Sequence, residues 1–150
     1  MAEVSTCLLF DGAAEQAAAL YVGLVPGSAI QTVRRANGAV VLVEFTLAGR
    51  PHVALNGPGV VPSMAMSVVV TAEDQAQSDA IWQAHLDAGS TELRCGWLTD
   101  RFGMSWQIVP RGVHDLLFGP DPAANARAFA CMQGQIRIDT AAIAAAARGA

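Results

Sequence analysis

A chain of 150 residues suits one compact domain that buries roughly two-thirds of the surface its unfolded form exposes. It is 53% hydrophobic and 15% charged, with mean hydropathy +0.36, so its apolar surface must be covered by a sheet packed on both faces or by another subunit. The net charge of -4, with only 9 scattered Lys and Arg, excludes nucleic acid as an expected partner, because nothing resembles the basic footprint of a polyanion site.

No apolar run reaches the ~18 residues that cross a bilayer. The start MAEVSTCLLFDG carries Glu3 and Asp11 and no basic segment, unlike a secretory signal. A cytoplasmic protein without membrane contact is expected. Cys7, Cys95 and Cys131 are widely spaced, odd in number and without a CxxC pair, which disfavours a disulfide scaffold or a structural zinc site. Cys7 and Cys131 read as small buried hydrophobes, while Cys95 sits beside a Gly-Trp turn.

Residues 5–10 (STCLLF) read as a strand stopped by Asp11-Gly12, and AAEQAAALYVGL follows with the Ala and Leu content of a helix. Asp11 is the expected N-cap, and Pro26-Gly27 ends the segment. AIQTVRRA and AVVLVEFTLA flank Asn37-Gly38, a strong hairpin signal because a type I′ turn needs positive φ at both central residues. After a break at Gly49-Arg50, PHVALN completes β-α-β-β-β over about residues 4–57. GPGVVP (57–62) reads as a linker.

The same order then recurs over residues 64–111: AMSVVVT, the helical EDQAQSDAIWQAHLDAG, STELRCGWL and SWQIVP. Corresponding positions support a weak internal duplication: Leu20-Tyr21 with Ile81-Trp82, Pro26-Gly27-Ser28 with Ala88-Gly89-Ser90, and Gly49 through Asn56 with Gly103 through Pro110. The expected fold class is therefore α+β, two βαβββ modules in a single domain spanning 1–150, with a helical tail over residues 120–148. In the tail, Asp121-Pro122 and Asp139-Thr140 are two helix starts, and Ala124, Ala128, Cys131 and Met132 form an apolar stripe. Such short helices must dock on the body or on a partner chain.

CLLFDGAAEQAAALYVGLVPGS, VEFTLAGRPHVALNGP and above all CGWLTDRFGMSWQIVP resemble the 3-demethylubiquinone-9 3-methyltransferase-like (PhnB-like) branch of the vicinal oxygen chelate, or glyoxalase/bleomycin-resistance, superfamily. The resemblance covers nearly the whole chain and implies two modules, each an open sheet curling around a pocket, often in a dimer. A homodimer is thus expected, with residues 121–148 at its interface. The methyltransferase in the family name lacks support here, because Gly57-Pro58-Gly59 opens no helix and no other glycine-rich strand-to-helix turn exists to hold a methyl donor.

Metal-dependent enzymes of the superfamily take His, Glu and Gln ligands from the first and last strands of each module. The matching positions here are Thr6 or Cys7, Val53 or Ala54, Ala65 to Ser67, and Gln107. A hard divalent ion needs three or more oxygen or imidazole ligands, so no metal or other cofactor is expected. His52 matches Trp106 rather than Gln107 and reads as a partly exposed strand residue, as His85 and His114 read as structural or solvated. Glu44 is explained most simply by pairing with Arg34 or Arg35 on the neighbouring strand.

The candidate ligand-binding residues are Trp97, Phe102 and Trp106 for flat apolar surface, and Cys7, Asn56, Ser67, Cys95 and Gln107 for polar contacts. The three aromatic residues equally suit a core, and Asn56 a turn. Only one of Trp106 and Gln107 can face a pocket on a regular strand, and the resemblance favours Gln107. The expected function is metal-independent binding of a small, partly apolar molecule, with a metal-dependent lyase, isomerase or dioxygenase as the alternative and a methyltransferase as the second alternative.

Overall fold

The computed structural model describes residues 1–150, which divide into two compact units, Met1–Pro62 and Ser63–Ala150. The division falls at the end of the Pro- and Gly-rich stretch.

In the first unit, β1 (Thr6–Phe10) leads to α1 (Ala14–Leu24), then to β2 (Ala29–Ala36), β3 (Ala39–Leu47) and β4 (Arg50–Asn56). The sheet order is β1-β4-β3-β2, with β1 parallel to β4 and the other pairs antiparallel. Asn37 (φ 50°) and Gly38 (φ 82°) turn the β2–β3 hairpin, as the Asn-Gly pair predicts. One face of the sheet is covered by α1, which buries Ala14, Ala17, Ala18, Tyr21 and Leu24, one stripe at helical spacing. Tyr21 lies between Phe10 (6.2 Å) and Phe45 (6.4 Å) at the centre of this core.

Asp11 does not cap α1. The N-cap is Ala13, whose side chain makes no capping bond, and Asn56 reaches in from the end of β4 instead. Its Oδ1 accepts the Ala14 N–H at 2.9 Å, and its Nδ2 donates to the Val40 carbonyl at 3.0 Å. A polar side chain 42 residues away thus satisfies a helix start that its own sequence leaves open.

The second unit repeats the arrangement with β5 (Ser67–Ala72), α2 (Gln75–Asp87), β6 (Thr91–Glu92), β7 (Trp97–Thr99) and β8 (Ser105–Pro110), in sheet order β5-β8-β7-β6. The duplication is visible in the register. Phe10 pairs with Asn56 and Ala72 with Pro110, and each strand pair ends with the same bond: Gly57 N–H to Phe10 O, and Arg111 N–H to Ala72 O. The expected match of Gly49–Asn56 with Gly103–Pro110 follows directly. Asp74 caps α2 by accepting the Gln77 N–H at 2.8 Å, and α2 buries Ser78, Ile81, Trp82 and His85.

A short helix, α3 (Val113–Leu117), follows β8, and the tail then forms the two expected helices, α4 (Pro122–Gly134) and α5 (Thr140–Arg148). Asp121 and Asp139 cap the latter two, as their positions predict. The tail folds back on its own unit around Val113, Leu117, Ala128, Ile138 and Ile143, with Val109 of β8, Cys131 and Met132 packed against them. Backbone bonds from Cys95 N–H to Gln135 O and Gly96 N–H to Ile136 O fasten it, and Gln75 on α2 bonds Ile138 and Thr140.

No helix is long and apolar enough to cross a membrane.

Candidate functional site

In each unit α1 or α2 covers one face of the sheet, and alternation along the strands sends every second side chain to the other face. On β1 and β4 that open face carries Cys7, which is exposed, opposite Val53; Glu44 of β3 is the other partner of Val53. On β5 and β8 it carries Val69 opposite Gln107, with Trp97 of β7 as the other partner of Gln107. The register thus makes Glu44 the counterpart of Trp97, and Val53 the counterpart of Gln107.

The second unit brings three of the candidate residues together. Gln107 Nε2 donates to Ser67 Oγ at 2.7 Å, and Trp97, half-buried, stands directly across from Gln107 on the same face. Cys95 lies two residues before Trp97 in a left-handed conformation (φ 60°), its N–H held by the tail. Phe102 sits in the β7–β8 loop, half-buried, with the Arg101 guanidinium 4.9 Å from its ring centre.

Two candidates serve the framework instead. Asn56 has both ends of its amide engaged by backbone groups of the first unit. Trp106 is fully buried on the α2 side, its ring 4.8 Å from that of His85 and its Nε1–H donating to Asp100 Oδ2 at 2.9 Å. It is core, not pocket wall, because strand alternation gives the open face to Gln107.

The same cluster contains His85, for which the structural rather than the solvated reading is the right one. His85, read as structural or solvated, has no exposed surface; burial pushes it down from 6.5 to about 4, against the opposing pull of the Asp100 charge. Its Nδ1 lies 3.2 Å from Ser90 Oγ, while Nε2 is buried without a partner. A lone histidine between Ala84 and Leu86 carries no local signal of such burial.

The first unit contains a groove of about 560 Å³, lined by Glu3, Ser5, Gln31, Glu44, His52 and Val53 among others. None of the eight candidate residues lines it. Glu44 bonds Arg34 at 2.9 Å, in keeping with the expected strand-pair partner, and both are exposed. His52 packs on Phe45 at 5.4 Å, its Nδ1 2.9 Å from the Arg50 carbonyl oxygen.

The resemblance assigns a divalent ion to Thr6 or Cys7, Val53 or Ala54, Ala65 to Ser67, and Gln107, and the strand register sets Cys7 opposite Val53 and Val69 opposite Gln107. Val69 takes the place expected among Ala65 to Ser67. The first unit's pair supplies a thiol and a hydrocarbon and the second unit's a hydrocarbon and an amide, and neither pair fits a hard cation. Nor does any group of three or more His, Cys, Asp or Glu side chains converge elsewhere.

No curated protein matches the chain. Among solved structures, a PhnB protein from Bacillus cereus is 27% identical, with 73% of this chain and 99% of that one covered at a TM-score of 0.64. Protein PA1353 from Pseudomonas aeruginosa (15% identical, 73% and 98% covered, TM-score 0.60) and the fosfomycin resistance protein FosX from Listeria monocytogenes (8%, 76% and 94%, TM-score 0.58) share the fold. Residues 2–109 match the 3-demethylubiquinone-9 3-methyltransferase family, and the tail lies outside that match. With both βαβββ units inside the matched region, the chain belongs to that family and has the fold of the glyoxalase and fosfomycin-resistance superfamily.

Proposed function

We propose that this protein binds a small molecule on the open faces of its sheets without the help of a divalent cation. The observation that carries the reading is the content of the paired first and last strands of each unit, Cys7 opposite Val53 and Val69 opposite Gln107, where metal chemistry would need carboxylates and imidazoles. The 560 Å³ groove of the first unit is within the range of small-ligand sites, and the second unit adds an aromatic ring beside a polar pair. Methyl transfer has only the family name behind it: Gly57-Pro58-Gly59 leads into extended chain and then β5, not into a helix. A cytoplasmic homodimer belongs to the same proposal, and the exposed Ile30, Val41 and Met66 support the assembly.

An NMR fragment screen of the full chain, run with and without a chelator, tests it. Fragments that shift open-face resonances equally in both conditions support the proposal. Binding that disappears with the chelator and returns with added metal overturns it.

A further inference from the structure

The open face of the second unit differs from that of the first in one respect that selects a ligand. Its strand residues are Ser67 and Val69 on β5, Trp97 and Thr99 on β7, and Gln107 on β8, with hydroxyl side chains at the remaining positions and Val109 packed against the tail; none of them ionises. The first unit has Glu44 and Arg34 on the corresponding face.

We propose that the second unit's open face recognises an uncharged planar molecule bearing a carboxamide or an equivalent ring edge, with an acceptor beside a donor. This rests on the small-molecule reading above and narrows its ligand.

The polarity of the Ser67–Gln107 bond sets the pattern. Gln107 Nε2 donates to Ser67 Oγ, which leaves the serine hydroxyl hydrogen free to donate and Gln107 Oε1 free to accept. A primary amide offers the complementary pair, its oxygen toward Ser67 and its N–H toward Gln107. Trp97, the cross-strand neighbour of Gln107, places an indole where a flat ring can pack. A carboxylate or ammonium would find no opposite charge among the strand residues, whereas a neutral amide meets both a donor and an acceptor. The first unit cannot copy the site, since Val53 stands where Gln107 does and Glu44 where Trp97 does.

The probes are benzamide, benzoate and benzylamine, titrated at millimolar concentration into the full chain while the Trp97 indole N–H and the Gln107 side-chain amide are followed by NMR. Benzamide is expected to shift both signals, and the two ions neither. Gln107→Val, which installs the first unit's residue, should weaken benzamide about tenfold or more, the loss expected from one or two hydrogen bonds. Ser67→Ala, a second and milder variant, should weaken it in the same direction. Equal or larger shifts from benzoate or benzylamine, or unchanged benzamide affinity in Gln107→Val, overturn the proposal. If the three probes leave Trp97 and Gln107 unmoved while other fragments shift open-face residues, the ligand class falls and the small-molecule reading stands. If no fragment moves any resonance, both fall.

Discussion

The indole N–H of Trp106 donates to Asp100 Oδ2 across 2.9 Å, tying β8 to the loop that precedes it. Asp100 Oδ1 accepts the N–H groups of Phe102 (2.8 Å) and Met104 (3.0 Å), so one carboxylate organises the whole Asp-x-Phe-Gly bend. Asp100 is 5% exposed, so removing it takes one acceptor from three donors, that of Trp106 in a buried place. Asp100→Ala should cost about 3 kcal/mol in urea denaturation, and Trp106→Phe, which keeps most of the ring volume, about 1–2 kcal/mol. A loss below about 1 kcal/mol for Asp100→Ala would show that the bend holds itself.

His85 should make stability depend on pH. Burial depresses its folded value to about 4 from 6.5, so below pH 6.5 the unfolded chain takes up a proton that the native chain refuses. The stabilising effect of neutral His85 is complete above pH 6.5 and is lost as the pH falls toward 4, reaching roughly 3 kcal/mol. His85→Leu installs the residue that the first unit has at Leu24 and should flatten this part of the profile. The check is the difference between wild type and variant at pH 7.5 and pH 4.5; a constant difference contradicts the assignment.

Gly96 is where the Cys-Gly-Trp turn meets the tail. Its φ is +78°, and a Cβ there would lie 2.8 Å from the Ile108 carbonyl oxygen and 2.8 Å from Ile138 Cγ1. Gly112 has φ +88° but open space around the same position. Gly96→Ala should therefore destabilise the fold by about 2–4 kcal/mol, and Gly112→Ala by about 1 kcal/mol, the backbone effect alone. Hydrogen exchange should show α4 and α5 loosened in the first variant only.

Light scattering at micromolar concentration should report a homodimer for the full chain, and a monomer there ends that part of the proposal. Because the tail supplies Ile138 and Ile143 to its own unit's core, a version ending near Gly119 should also melt earlier. Unchanged thermal stability after truncation would mean that the tail adds nothing to the unit it packs on.

Elements with a local cause were legible in the sequence. Asn37-Gly38, Asp121-Pro122 and Asp139-Thr140 each state a turn or cap within four residues, and the register of the two modules followed from glycine positions. What escaped depended on distant partners. Asn56 caps a helix 42 residues away, which no window around Asp11 or Asn56 contains. The helix α3 is only five residues long and begins after a left-handed Gly112, too short for any periodic pattern. At the site, the alternation of Trp106 with Gln107 was readable, and the choice of Gln107 for the open face, taken from the resemblance, agrees with Trp106 being held on the α2 side by Asp100 and His85. The groove around Glu44 and His52 was passed over because Glu44 had a simpler partner in Arg34 or Arg35, which the structure shows, and His52 matched Trp106 rather than Gln107.

Elemental analysis of the purified, exhaustively dialysed protein addresses the central claim most directly. With Cys7 opposite Val53 and Val69 opposite Gln107 on the paired first and last strands of each unit, the account predicts divalent metal far below one ion per chain, with ligand binding intact in the same sample. Near-stoichiometric manganese, iron, nickel or zinc that survives dialysis would contradict it.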